Sequence, residues 1–235
     1  MKKHRSGGFT LVEIAVVLVI VGLLIGGLIT PLAAQLEQRR GSETQKALDE
    51  AKEALLGFAL RNGYLPCPAI SAGNGLEDRT ESACSNGRRV GFLPWATLGL
   101  AKLDGWNHLF RYSVSPGFSG SASLFTLKSP RDISIATRDA TGALVAASAP
   151  DDIVAVVMSH GRNGYGATSE QAILLANTSA NNPDEKINLG NSGTTFLSRP
   201  VNDNVAAPGG EFDDQVVWLS PNILYNRMVA AQRLP

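Results

Sequence analysis

Serine, histidine, cysteine and carboxylate side chains are the groups in this chain with chemistry to offer, and their spacing limits what they can do. Ser159 precedes His160 in "SHG". A nucleophilic serine on a strand-to-helix elbow needs Gly-x-Ser-x-Gly around it, which this stretch lacks. His160 therefore reads as a loop histidine with its hydrogen bonds satisfied. His4 and His108 stand alone, and no His-x-x-x-His or Cys-His pairing suggests a metal. Gly161, Gly164 and Gly166 fall in Gly-x-x-Gly-x-Gly order with no Gly-Lys-Ser/Thr behind them, so a phosphate cradle has no support. Trp95, Trp106 and Trp218 are expected in the core, where large aromatics dominate. These patterns supply no catalytic constellation, and the chain is expected not to be an enzyme.

Cys67 and Cys84 share the loop-like stretch "LPCPAISAGNGLEDRTESACSNG", with no further cysteine and no nearby histidine. That is too few ligands for a zinc site. In an oxidising compartment the pair would close a local disulfide worth about 3 kcal/mol; otherwise two thiols remain unpaired.

The most unusual carboxylate is Glu13, inside "SGGFTLVEIAVVLVIVGLLIGGLI". From Phe9 to Ile29 the only polar side chains are Thr10 and Glu13, and about twenty apolar residues in a helix span a hydrocarbon core. Lys2, Lys3, His4 and Arg5 stand ahead of this run, which should keep the N-terminus cytoplasmic and send the body across the membrane. An ionisable group within such a run usually carries a function.

A secretory signal peptide has the same order of charge and apolar run, with its cleavage site behind the run. The sequence "SGG" directly before Phe9 offers a processing point ahead of it instead. "GGFTLVEIAVVLVIVGLL" resembles the N-terminal motif of type IV prepilins and type II secretion pseudopilins. The resemblance implies cleavage between Gly8 and Phe9 by a prepilin peptidase, N-methylation of the new Phe9 amine, and an assembly role for Glu13. Glu13 would meet the positive amine of a neighbouring subunit. In a low dielectric that attraction is large but offset by desolvation, so it selects axial register more than it stabilises.

The elements that must carry these residues follow from periodicity. The apolar helix should continue past Pro31, with a kink there. Leu48, Ala51, Leu55 and Phe58 form one apolar face, with Glu43, Lys46, Asp49, Lys52 and Glu53 on the others. Gly63 should stop the helix, and Pro66 and Pro68 prevent its continuation. Beyond it, "DGWNHLFRYSV", "ALVAAS", "DIVAVVMSHG", "TTFLSRPV" and "DDQVVWLS" read as strands, the third buried, and "NILYNRMVAAQRL" as a closing helix. The glycine- and asparagine-rich stretches "SHGRNGYGATSE" and "PVNDNVAAPGGEF" read as surface loops.

The expected fold is thus α+β and pilin-like, a long N-terminal helix packed on an antiparallel β-sheet domain. Its parts are a leader at residues 1–8, a transmembrane and polymerisation helix at 9–30, an amphipathic continuation at 31–63 and a periplasmic β-rich body at 64–235. "LDGWNHLFRY" is similar to the Asp-x-Trp-Gly-x-x-Tyr segment of major pseudopilins, with Asn107 in place of glycine. "GGEFDDQVVW" is similar to their acidic loop, which binds calcium. The resemblance suggests Glu211, Asp213 and Asp214 as Ca²⁺ ligands, helped by the oxygen-rich stretch at Asn202, Asp203 and Asn204; a turn role before the strand is the other reading.

At 235 residues, the 21 Lys+Arg balance the 21 Asp+Glu, and the basic residues form no patch, so nucleic acid is not an expected partner. The expected partners are homologous pilin or pseudopilin subunits, the prepilin peptidase, an inner-membrane assembly platform and the membrane itself. The body exceeds a minimal major pseudopilin, which suggests a minor subunit of a type II secretion pseudopilus or, second, of a type IV pilus. The competing expectation is a periplasmic enzyme or binding protein held by an uncleaved signal anchor.

Overall fold

In the computed structural model, described over residues 10–122 and 124–234, the chain divides into two units, residues 1–41 and 42–235. Within the first helix the side chains of residues 25 and 27–31 are not among those described. That helix, α1, runs Leu11–Asn62 and contributes to both units. The Gly8–Phe9 junction and the Pro31 side chain, where a kink is expected, lie outside the described residues.

In the first unit, every leucine, valine and isoleucine from Leu11 to Leu24 is exposed, Leu11 to 88%. Monomeric proteins in water rarely show apolar surface on this scale. Among the described residues no helix is long and apolar enough to cross a membrane. The run expected to do so, Phe9 to Ile29, includes Phe9 and side chains at 25 and 27–29 that fall outside the description.

In the second unit, α1 behaves as its periodicity dictates. Leu48, Ala51, Leu55 and Phe58 are buried, whereas Glu43, Lys46, Asp49 and Glu53 are exposed. Gly63 closes the helix with φ +79° and its N–H donates to Ala59 O at 2.7 Å, a left-handed stop that glycine adopts at no steric cost.

The buried face of α1 packs on a four-stranded antiparallel sheet made of β3 (Val90–Phe92), β4 (Arg111–Val114), β7 (Ala155–Ser159) and β9 (Gln215–Leu219), in the order β3-β4-β7-β9. Tyr112, Val114, Ala155, Val157 and Leu219 meet α1 on this side, joined by Leu224 and Met228 of the closing helix α4 (Pro221–Ala230). The opposite face of β7, Val156 and Met158, belongs to a second core with Ile133, Ile135, Ile153 and Phe196. Burial on both faces explains why β7 reads as an unbroken apolar run.

That second core is built by a second sheet, two of whose strands lie in "ALVAAS" and "TTFLSRPV" and whose central strand the sequence does not announce. β5 (Ser134–Arg138) lies between β6 (Leu144–Ala146) and β8 (Thr195–Leu197), antiparallel to the first and parallel to the second. The expectation of one antiparallel sheet is therefore extended by a mixed one. Two short elements complete the unit's order, α2 (Trp95–Leu98) and α3 (Pro183–Asn188), with a small ribbon of β1 (Arg79–Thr80) and β2 (Ala83–Cys84).

Cys67 and Cys84 form a disulfide across 17 positions of sequence, both buried. Arg79, within the closed loop, donates to Ser119 O at 2.7 Å and lies over the Tyr64 ring, pinning the loop to the body. Cys84→Ser should lower unfolding stability by about 3 kcal/mol, mostly through a freer unfolded chain. A thermal melt unchanged by reductant and by the substitution would contradict this.

Candidate assembly residue and acidic centre

Glu13 sits in the first turn of α1. The Thr10 N–H and hydroxyl both donate to Glu13 Oε2, at 3.2 and 3.3 Å, and the Glu13 N–H donates to Thr10 Oγ1 at 3.2 Å. This is a capping box, in which a Thr-x-x-Glu pair satisfies reciprocally two N–H groups that the helix end leaves unpaired. The spacing was visible in "TLVE". Glu13 thus has a local role in the single chain, one the sequence reading did not assign.

The segment "DGWN" forms a turn organised by Asp104. Its Oδ1 accepts from the N–H of Trp106 at 2.9 Å and of His108 at 2.8 Å, and its Oδ2 accepts from Ser159 Oγ at 2.5 Å. Asn107 takes φ +66°, a conformation that glycine prefers and asparagine tolerates. The Ser159 hydroxyl is committed to this turn and accepts from the Gly161 N–H at 3.1 Å. His160 is buried at the end of β7, and its Nδ1 has no hydrogen-bond partner among the described residues, which corrects the expectation of a satisfied loop histidine. Burial, then the Arg111 charge, lowers its pKa to about 3, so the ring is neutral.

Asp213 and Asp214, just ahead of β9, converge with Glu185 of α3. Each of the three offers an oxygen within 4.8 Å of the others, and all three residues are buried. Glu185 Oε1 accepts from Asn163 Nδ2 at 2.8 Å and from the Asp213 N–H at 3.0 Å, while Oε2 accepts from Asn182 Nδ2 at 2.7 Å. Asp213 Oδ2 accepts from the Asn163 N–H at 2.8 Å, and Asp214 Oδ2 from Asn188 Nδ2 at 2.7 Å. Asp213 Oδ1 is buried with no hydrogen-bond partner among the described residues. The surrounding loop is fitted to this group: Gly161 has φ +61°, and a Cβ there would lie 2.3 Å from both Asp213 O and Oδ1. The stretch 159–167 is thus partly interior, with His160, Gly161, Gly164 and Ala167 buried, not the surface loop its composition suggested.

Burial pushes the Asp213 carboxyl up to about 7, against the Asn163 N–H that pulls it down, and raises Asp214 well above the ordinary carboxylate range. Three buried carboxylates close together are costly unless a cation offsets their charge or some of them take up protons. Hard oxygen donors, one of them an orphaned carboxylate oxygen, fit a hard divalent cation better than a soft one. Glu211 lies outside this group: its carboxylate accepts from the Ser179 hydroxyl, and its N–H from the backbone donates to Asn181 O at 3.0 Å. Asp203 is also elsewhere, paired with Arg162 on the surface at 2.7 Å. Glu185 was not singled out from sequence because a six-residue helix carries no periodic signal and glutamate is normally exposed.

Residues 3–29 match a family model described as the prokaryotic N-terminal methylation motif. Type II secretion system core protein G of Pseudomonas aeruginosa is 26% identical over 127 residues, which is 54% of this chain and 86% of that protein. Together these findings support assignment to the pseudopilin family. Gly8, Phe9 and Glu13 fall within the matched motif. No solved structure matches the chain significantly. The two matches point to a structural subunit of pilin-like type, a class that works by assembly and is generally not enzymatic.

Proposed function

We propose that the chain is a subunit of a type II secretion pseudopilus, cleaved between Gly8 and Phe9, methylated on Phe9 and assembled through its N-terminal helix. The observation that carries this reading is the methylation motif placed at the head of a helix whose described apolar side chains from Leu11 to Leu24 are all exposed. Such a surface requires lipid before assembly and neighbouring helices after it. On this reading residues 1–8 are the leader, 9–30 the transmembrane and polymerisation segment, 31–63 its amphipathic continuation and 64–235 the periplasmic body. The partners are other pseudopilins, the prepilin peptidase and an inner-membrane platform. The relative aligns with 54% of this chain, which leaves extra body and favours a minor subunit over the major one.

Intact mass of the membrane-extracted protein, expressed with and without a prepilin peptidase, tests this directly. The expected result is loss of residues 1–8 plus one methyl group only when the peptidase is present. An unprocessed chain, or one cut behind the apolar run, would point to a signal-anchored protein instead.

The acidic centre of Glu185, Asp213 and Asp214 is proposed to hold Ca²⁺, which would neutralise the carboxylates and tie α3 to the start of β9. Its six or more oxygens would include backbone carbonyls besides these side chains. Without a cation, Asp213 has a folded pKa of about 7 against an ordinary 3.8, so the folded state binds the proton more tightly than the unfolded one. Stability from this group is fully present below about pH 4 and is lost as pH rises towards 7, by an amount on the order of a few kcal/mol. Thermal melts of the full chain in detergent should therefore fall from about pH 5 to about pH 8 in chelator, and recover with ~1 mM calcium chloride at the higher pH. Identical melts with calcium and chelator at both pH values would remove the cation.

A further inference from the structure

The four-stranded sheet is covered unevenly on the face away from α1. Over β7 and β9, Val156, Met158, Val216 and Trp218 meet the second core. Over β3 and β4 there is instead a cleft of about 560 Å³, bordered by Arg88, Arg89, Val90, Arg111, Leu174 and Ile70 among others. The cleft is open, and Leu174 and Ile70 on its lining are 70% and 46% exposed.

The cleft's charge is one-sided, since its lining contains three arginines and no carboxylate. Arg89 is already neutralised by a bidentate pair with Asp132. Arg88 is exposed and has no carboxylate partner among the described residues. Among the described residues Arg111 donates through Nη2 to the carbonyls of Leu189 at 3.2 Å and Gly190 at 2.9 Å, its buried Nε has no acceptor, and the Asp214 carboxylate acts on it electrostatically. The exposed Arg88 guanidinium is therefore the group left to receive an anion from outside.

The backbone beside them is also incompletely paired. The carbonyl of Arg89 and the N–H of Leu93 face β4, bonding to Val114 N and Phe110 O, whereas both backbone groups of Phe92 face outward and pair with Ala69 at 2.9 Å. By the two-residue alternation, the N–H and C=O of Val90 face outward too, and neither has a partner among the described residues. β3 is the edge strand of its sheet. An open backbone pair at Val90 next to Arg88, an arginine with no carboxylate partner among the described residues, is a template for an added strand that carries negative charge.

We propose that this cleft receives an extended acidic peptide segment of another polypeptide, which adds to the β3 edge at Val90 and places a carboxylate against Arg88, with its apolar side chains on Ile70 and Leu174. The proposal stands independently of the filament reading, because it rests on the sheet edge and not on the N-terminal helix.

The test uses the full chain in detergent and a fluorescein-labelled peptide, Val-Asp-Val-Glu-Val, followed by fluorescence anisotropy, with amide exchange read at Val90. Saturable binding is expected, at least about tenfold tighter than that of Val-Asn-Val-Gln-Val. Arg88→Glu, a change at an exposed residue that leaves the melt in place, should weaken it about tenfold, and Arg88→Ala by less. Exchange at Val90 should slow on saturation, while Gly91, already paired with Tyr112, stays unchanged. Absence of saturable binding, equal affinity for the neutral peptide, indifference to Arg88→Glu or unchanged Val90 exchange would each overturn the proposal. Displacement by equimolar inorganic phosphate would also overturn it, by showing a small-anion site without strand recognition.

Discussion

Asp184→Ala is expected to lower the unfolding free energy by about 3–5 kcal/mol, a loss out of proportion to its position on a six-residue helix. Its fully buried carboxylate receives Arg138 from β5, at 2.7 and 2.6 Å, and Arg199 from beyond β8, at 2.8 Å. Arg199 also donates to Gly210 O at 2.7 Å and stacks 4.7 Å from the Phe212 ring centroid. The two arginines respond differently to this one carboxylate. The hydrogen bond to Asp184 raises the pKa of the more exposed Arg138, whereas burial outweighs pairing and lowers that of Arg199. Removing Asp184 strands both guanidinium groups, and breaking a buried pair from one side costs far more than the pair is worth intact. The backbone has been shaped around it: at Gly209, with φ +84°, a Cβ would lie 1.9 Å from Asp184 Oδ2. Urea denaturation of the full chain followed by tryptophan fluorescence measures the loss. A change below about 1 kcal/mol would mean that the arginines find water instead.

Glu13→Gln separates the capping role of Glu13 from its proposed role in assembly. Glutamine serves at this position of a capping box, so α1 and processing at Gly8–Phe9 should survive the change. What disappears is the charge opposed to a neighbour's Phe9 amine, which would be left buried beside the positive end of a helix dipole. On the filament reading, recovery of the processed variant in sheared filaments should fall at least about tenfold, while Thr10→Ala, which weakens the cap by about 1 kcal/mol, should leave it largely intact. Normal incorporation of the Gln variant would reduce Glu13 to its capping function.

What could be read beforehand was what local pattern encodes. The methylation motif, the apolar face at Leu48 to Phe58, the left-handed stop at Gly63 and the buried run of β7 each follow from neighbours in sequence. β5 did not stand out because Ile135 is its one large apolar residue, and its pairing with β8 depends on a contact distant in sequence. The acidic centre was half visible for a related reason. Asp213 and Asp214 are adjacent, but their third member comes from α3, where Asp184 and Glu185 are both buried against the usual preference of acidic residues. Glu211 offered the right chemistry one residue from Phe212, and the backbone directed it to Ser179 instead.

If the body is exported as proposed, the Cys67–Cys84 bond gives each copy of this chain a memory of where it has been. Thiol–disulfide poise differs sharply between the two sides of a bacterial inner membrane, and only the outer side sustains such a bond. A chain whose body has not yet crossed would carry two alkylatable thiols, while one that has crossed would carry none. The ratio of labelled to unlabelled protein therefore counts, molecule by molecule, how much of the population has been exported, whether or not it has gone on to assemble.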